Sequence, residues 1–231
     1  MALIVSIETS TAVCSVALHE NGRLLAVMEV HQEYSHASKL GTLVNEVMNI
    51  ADIKLDKINA IAVSSGPGSY TGLRIGTSLA KGLCYSLDIP LIAVPTLKII
   101  AAGVSPLHRV DCFLCPMIDA RRMEVYCQVF NGDLEEFEPV KSVVVDERSF
   151  EKFLNVKPVL FFGNGASKCR AVIVHDNAKF LPDINPSATQ LGDLAFRKFS
   201  QGEVENLFDF VPHYLKEFFF KKKAEALNEI K

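Results

Sequence analysis

Two carboxylates stand at matching places in the chain. Glu8 closes an apolar run and is followed by the hydroxyl-bearing turn Thr9-Ser10-Thr11, and Asp119 closes another and is followed by Ala120-Arg121-Arg122. Two glycine turns, Gly66-Pro67-Gly68 and Gly163-Asn164-Gly165, each join a strand-like run to a segment that turns helical. Such turns offer N–H donors to phosphate at helix N-termini, and hydroxyl-bearing turns extend the set. Thr9, Ser10, Gly66, Gly68, Gly163 and Gly165 are therefore the candidate nucleotide-binding residues. The same turns serve equally well as plain corners, so both readings stay open. Other reactive side chains point away from a metal. Cys112 and Cys115 form a C-x-x-C inside CFLCPMI, a strand-like run that sends the two thiols to opposite faces. The six histidines are scattered, and no two are four apart on a helix. No lysine of the Walker type follows either glycine turn.

The elements that must position these residues follow from periodicity. Runs at 3–7, 12–18 and 24–30 read as strands of two hairpins, followed by a helix over 36–51 capped by Ser35, with Ala37, Leu40, Val44, Val47 and Ala51 as its apolar stripe and Leu43 and Ile50 widening it. A strand at 58–63 leads through Gly66-Pro67-Gly68 into a helix over 70–86 capped by Ser69. Inside it Gly72 and Gly76 each cost about 1 kcal/mol relative to alanine, so a close backbone approach must compensate. Gly72, Gly76, Ala80 and Cys84 form a ridge of small residues, and Ile75, Leu79 and Leu83 form a ridge of large ones. The large ridge is expected to face a sheet. The small ridge is expected to face another backbone, of this chain or of a partner. A strand at 91–94 and a helix over 96–102 complete an order βββαβαβα.

The second half repeats that order with weaker patterning: strands at 112–118, 123–130 and about 140–145, a helix over 147–154, a strand at 159–162, a helix after Gly165, a strand near 179–181 and a helix over 187–200. The expected fold is α/β, two such halves (1–106 and 107–231) with mixed sheets and a cleft where the two acidic strand ends meet. At 231 residues with 49% hydrophobic and 22% charged content the chain affords a sizeable core. A net charge of −3 removes any global pull toward nucleic acid or anionic membrane. MALIVSIETST lacks a basic leader and its apolar run is short, so a cytoplasmic, membrane-free protein with reduced, buried thiols at its six cysteines is expected.

IETSTAVCSVAL, SSGPGSYTGLRIGTSLAKGLCYSLDIPLIAVPTL, MIDARRMEVY and GNGA together resemble the TsaB (YeaZ) family of partner proteins in threonylcarbamoyladenosine synthesis on tRNA, within the actin-like ATPase superfamily. The resemblance is specific over the first hundred residues and weaker beyond, where Pro212-His213-Tyr214-Leu215-Lys216 is similar to the family's ending. It implies a duplicated ribonuclease H-like fold. In the catalytic sister family, TsaD, two histidines four apart bind the catalytic metal, and Thr96 and Ile100 occupy those places here. Neither can serve as such a ligand, so no catalytic residue, no metal and no obligatory cofactor are expected, with ATP or ADP in the cleft left open. The resemblance further implies that the chain binds TsaD, helps dock the ATPase TsaE, meets tRNA only indirectly and self-associates as a homodimer when TsaD is absent. The family's interface uses the first two helices of the N-terminal half, which here puts Leu40, Leu43, Val44, Val47, Tyr70, Gly72, Leu73, Gly76 and Ala80 at the partner. The alternative is an autonomous ATPase or small-molecule kinase with Glu8 or Asp119 positioning metal and water. A direct tRNA-binding protein is a third reading, disfavoured by the acidic balance and the lack of a basic-aromatic run. The FFFKKK stretch reads as a docked terminus with solvated lysines.

Overall fold

A computed structural model describes residues 1–32, 35–105 and 111–216; FFFKKK lies outside them. The first sheet contains β1 (Leu3–Glu8), β2 (Val13–Glu20), β3 (Arg23–His31), β4 (Ala60–Ser64) and β5 (Leu91–Val94), in the spatial order β3-β2-β1-β4-β5. The first three strands are antiparallel, and β4 and β5 add in parallel to β1. The second sheet repeats this with β6 (Phe113–Asp119), β7 (Glu124–Phe130), β8 (Glu136–Val144), β9 (Val159–Phe162) and β10 (Ala178–Phe180), in the order β10-β9-β6-β7-β8. The duplicated ribonuclease H-like fold expected from the sequence is the one observed.

Both faces of each central strand are buried, which is why these runs are apolar throughout. Along β1, Leu3, Val5 and Ile7 face a core made with α1 (His36–Ile50) and α2 (Tyr70–Leu87), while Ile4 faces the opposite side. Along β6, Phe113, Cys115 and Met117 face α4 (Glu151–Leu154) and α5 (Ala166–Cys169), and Leu114 and Ile118 face the other way. Cys112 and Cys115 accordingly lie in different cores, and all six cysteines are free and buried.

Between the sheets run two helices, each covering the sheet of the other half. From the first half, α3 (Thr96–Val104) buries Leu97, Ile100, Ala101 and Val104 against Leu114, Ile118 and Phe162. From the second, α6 (Ala188–Ser200) returns to pack Leu191, Leu194 and Ala195 on Ile4, Ala62 and Ile92. The layers are thus α1/α2, first sheet, α3/α6, second sheet, α4/α5. The expected cut between 106 and 107 separates the sheets, but α6 and the segment after it belong spatially to the first half. Glu205 even bridges to Leu91 on the edge of β5.

Local departures have local causes. Ser69 caps α2 as expected, its hydroxyl accepting from the Gly72 amide at 3.2 Å. Ser35 does not cap α1, because its hydroxyl donates to the Gln32 carbonyl instead. The helix expected over 147–154 is reduced to its last turn, preceded by Phe150 at φ 74°. No helix among the described residues is long and apolar enough to cross a membrane.

Candidate functional site

The end of β1 is held by its own chain. The Ser10 amide donates to Glu8 Oε1 at 2.5 Å, and the Thr9 hydroxyl donates to the Gly72 carbonyl at 2.8 Å. The Ser69 amide in turn donates to the Ser10 carbonyl at 2.7 Å. The glycines make this approach possible. A Cβ on Gly68 would sit 2.4 Å from the Ser10 oxygen, one on Gly72 would sit 2.1 Å from the Thr9 oxygen, and one on Gly76 would meet the Thr9 hydroxyl at 2.3 Å. The small ridge of α2 therefore packs on the β1–β2 turn, with Ala80 and Cys84 also fully covered. Ile75, Leu79 and Leu83, expected to press on a sheet, lie half-buried at the margin of the first core.

Glu8 lies wholly inside. Burial pushes its carboxyl above the ordinary value, against the Ser10 hydroxyl and amide and the Ser64 hydroxyl, which pull it down. Both hydroxyls stand beside the carboxyl, yet they and Glu8 Oε2 are buried outside standard hydrogen-bond geometry. A neutral carboxyl is the form such a place favours.

The second glycine turn is built the same way. Gly66 and Gly163 both have positive φ, +96° and +97°, and a Cβ on either would strike a backbone oxygen, of His213 at 2.6 Å and of Met117 at 2.3 Å. The Gly165 amide donates to the Met117 carbonyl, and the Asn164 side chain accepts from the Asp119 amide. Asp119 pairs with Lys168 at the surface. Between the halves a cavity of about 170 Å³ lies against Ser65, Gly66, Pro67 and Leu97 on one side and Gln128, Glu136 and Val140 on the other. That volume is below the range of about 300–1,000 Å³ usual for a site of drug or cofactor size. Gly68 and Gly165 are consumed in intrachain packing, and Thr9 and Ser10 are buried rather than presented. The six candidate nucleotide-binding residues thus surround two closed corners. A wider hollow of about 470 Å³ on the far side of His213 is lined by Lys198, Glu205, Asp209 and Phe210.

Residues 29–227 match the family model described as tRNA N6-adenosine threonylcarbamoyltransferase. The Bacillus subtilis tRNA threonylcarbamoyladenosine biosynthesis protein TsaB is 32% identical over 92% of this chain and 93% of its own length. The chain belongs to the TsaB/YeaZ family. The Escherichia coli TsaB protein is 36% identical over 63% of this chain and 65% of its own. The solved YeaZ structure from Pseudomonas aeruginosa superposes with a TM-score of 0.81 at 28% identity, covering 93% of this chain and 100% of that one.

Within this TsaB/YeaZ framework the expected partner surface needs correction. Leu40, Leu43, Val44 and Val47 of α1 and Gly72, Leu73, Gly76 and Ala80 of α2 are buried in the single chain, because the apolar stripe and the small ridge both face the first sheet. Of the nine residues only Tyr70 reaches the surface. What the two helices present outward includes Ser38, Gly41, Thr42 and Asn45 from α1 and Thr71, Ser78 and Gly82 from α2, together with Lys39, Glu46, Ile50, Arg74 and Tyr85. A Cβ on Gly41 or Gly82 would meet nothing within 4 Å. Sequence spacing carried the signal for that outer face too, since small residues recur on it at helical intervals. Thr96 and Ile100, at the places where the sister family has its histidines, are buried in and beside the α3 core.

Proposed function

We propose that this chain is a non-catalytic subunit for threonylcarbamoyladenosine formation on tRNA, acting by binding TsaD and supporting it together with the ATPase TsaE. The observation that carries this reading is the closed β1 end. A carboxylate that positions metal and water must be within their reach, and here Glu8 is fully buried beneath Ser10 and α2. Thr96 and Ile100 support it, since neither side chain can hold a transition metal. A subunit without chemistry of its own acts through its surface, and the outer face of α1 and α2 offers Gly41 and Gly82 as points where another helix can come close, with Ile50 and Tyr85 exposed beside them. The same face serves self-association when TsaD is absent. No nucleotide is assigned to the cleft of this chain.

The test has two parts. Co-purification of tagged TsaD with this chain, and with a Gly41→Arg/Gly82→Arg variant, reads the binding: capture by the former and loss in the latter are expected. Threonylcarbamoyladenosine in tRNA from a deletion strain reads the role, and its normal abundance without the gene would refute the assignment.

A further inference from the structure

The chain ends its described course by crossing from one half to the other. His213 donates its amide to the Ser65 carbonyl, Tyr214 rests on Tyr70 of α2 with ring centroids 4.8 Å apart, and Lys216 pairs with Glu124 at the start of β7. Arg74 joins from the next turn of α2, its guanidinium 5.1 Å over the Tyr70 ring and donating to the Tyr70 hydroxyl at 2.5 Å. On the far side stand Arg121 and Arg122, both exposed and both in the left-handed region at φ 71° and 47°. Side chains other than glycine hold that conformation only under strain. Lys216 and Arg121 both lie near the Tyr126 phenol, which burial raises and their charges lower, so the tail and the β6–β7 turn form one continuous surface.

We propose that Arg74, Tyr70, Tyr214, Lys216, Arg121 and Arg122 form a surface that contacts RNA directly. Five cations, counting Lys168, gather here against two carboxylates, Asp119 and Glu124, in a chain whose net charge is −3. Lys168 and Lys216 are spent on those carboxylates, while Arg74, Arg121 and Arg122 have no carboxylate at ion-pair distance among the described residues. Guanidinium groups bind phosphate bidentately, and tyrosine and arginine planes stack on unpaired bases. An acidic peptide would use the charges alone, whereas the exposed guanidinium planes of Arg121 and Arg122 also suit stacking on unpaired bases, which favours RNA. The proposal rests on the tRNA pathway assigned above and departs from the expectation of purely indirect contact.

Fluorescence anisotropy of a labelled unmodified tRNA transcript with the full-length chain tests it. Each unpaired arginine that neutralises a phosphate contributes about 0.7–0.9 to the log–log salt slope, so a slope of roughly 2–3 is expected. Arg121→Glu/Arg122→Glu is expected to weaken binding at least about tenfold, and Tyr214→Ala by roughly fivefold or more while Tyr214→Phe retains it. Arg121→Gly/Arg122→Gly separates function from folding. It relieves both left-handed residues, so the melting temperature should hold or rise while RNA binding falls. Absence of RNA binding, affinity unchanged in the arginine variants, or equally strong competition by polyglutamate would overturn the proposal. Restored threonylcarbamoyladenosine in a deletion strain carrying a chain that binds no tRNA would overturn the surface and leave the pathway assignment standing.

Discussion

Replacing Gly72 by alanine adds one methyl where the Thr9 carbonyl oxygen stands 2.1 Å away. That oxygen is backbone, so no rotamer change relieves the clash and α2 must move off the β1–β2 turn by about 1 Å to reach ordinary contact. Two hydrogen bonds span the joint, Thr9 to the Gly72 carbonyl and Ser69 to the Ser10 carbonyl, each worth about 1 kcal/mol. Overpacking adds about 1–3 kcal/mol, and the better helix propensity of alanine returns about 1 kcal/mol. The net expectation is a loss of about 2–4 kcal/mol, or roughly 5–15 °C in melting temperature at the size of this chain. Gly82→Ala is the matched control, because nothing lies within 4 Å of its Cβ on the same helix. It should gain about 0.5–1 kcal/mol and raise the midpoint by about 1–4 °C. Differential scanning fluorimetry backed by urea unfolding reads both. An unchanged or raised midpoint for Gly72→Ala would mean that the small ridge does not pack on Thr9, and the closure of the acidic strand end would fall with it.

Glu8→Gln should be more stable than the parent above pH 4.5, the ordinary carboxyl value, because the unfolded state loses its proton there while the buried carboxyl keeps its own up to its raised pKa. Urea midpoints of both proteins across pH 4–8 check this, and a gap that fails to widen with rising pH would contradict a neutral Glu8. His19 behaves in the opposite sense. Burial lowers its pKa, opposed by the Thr189 carbonyl and Asp193, and its Nδ1 has no partner. Its contribution is complete above pH 6.5 and is lost as pH falls toward the lowered value, so an NMR titration placing the imidazole above 6.5 would refute that assignment. Gly41→Arg/Gly82→Arg should leave the midpoint unchanged or higher while weakening TsaD capture; a fall in both would mark these positions as core.

Element order was legible because both faces of β1, β4, β6 and β9 are buried, which leaves unbroken apolar runs bounded by turns. The caps show the limit of such reading. Ser35 and Ser69 look alike in sequence, yet the Ser69 hydroxyl accepts from its helix amide while the Ser35 hydroxyl is turned toward the Gln32 carbonyl. The spacing of Gly72, Gly76 and Ala80 announced a close approach but carried no information on whose backbone came close. The stripe of α1 similarly gave an apolar face and no address for it. The exchange of α3 and α6 between sheets was hidden for the same reason, since periodicity fixes a helix face and leaves the covering sheet open. The arginine and tyrosine surface draws on residues 70–74, 121–122 and 214–216, three segments far apart in the chain, so no run of basic and aromatic residues could disclose it.

The return of α6 to the first sheet sets a clock on synthesis. When residue 105 has been made, Ile4, Ala60, Ala62, Ile92 and Val94 are all present, yet Leu191, Leu194 and Ala195, which cover them, are not. At about 5–20 residues per second the ribosome needs roughly 5–20 s to supply them. Through that interval the nascent chain carries an apolar sheet face with only Ile99 and Ala102 of α3 to lay over it. Chaperone occupancy should therefore peak after the first sheet emerges and end only with α6, and a stop codon before residue 188 should yield aggregate rather than a soluble half.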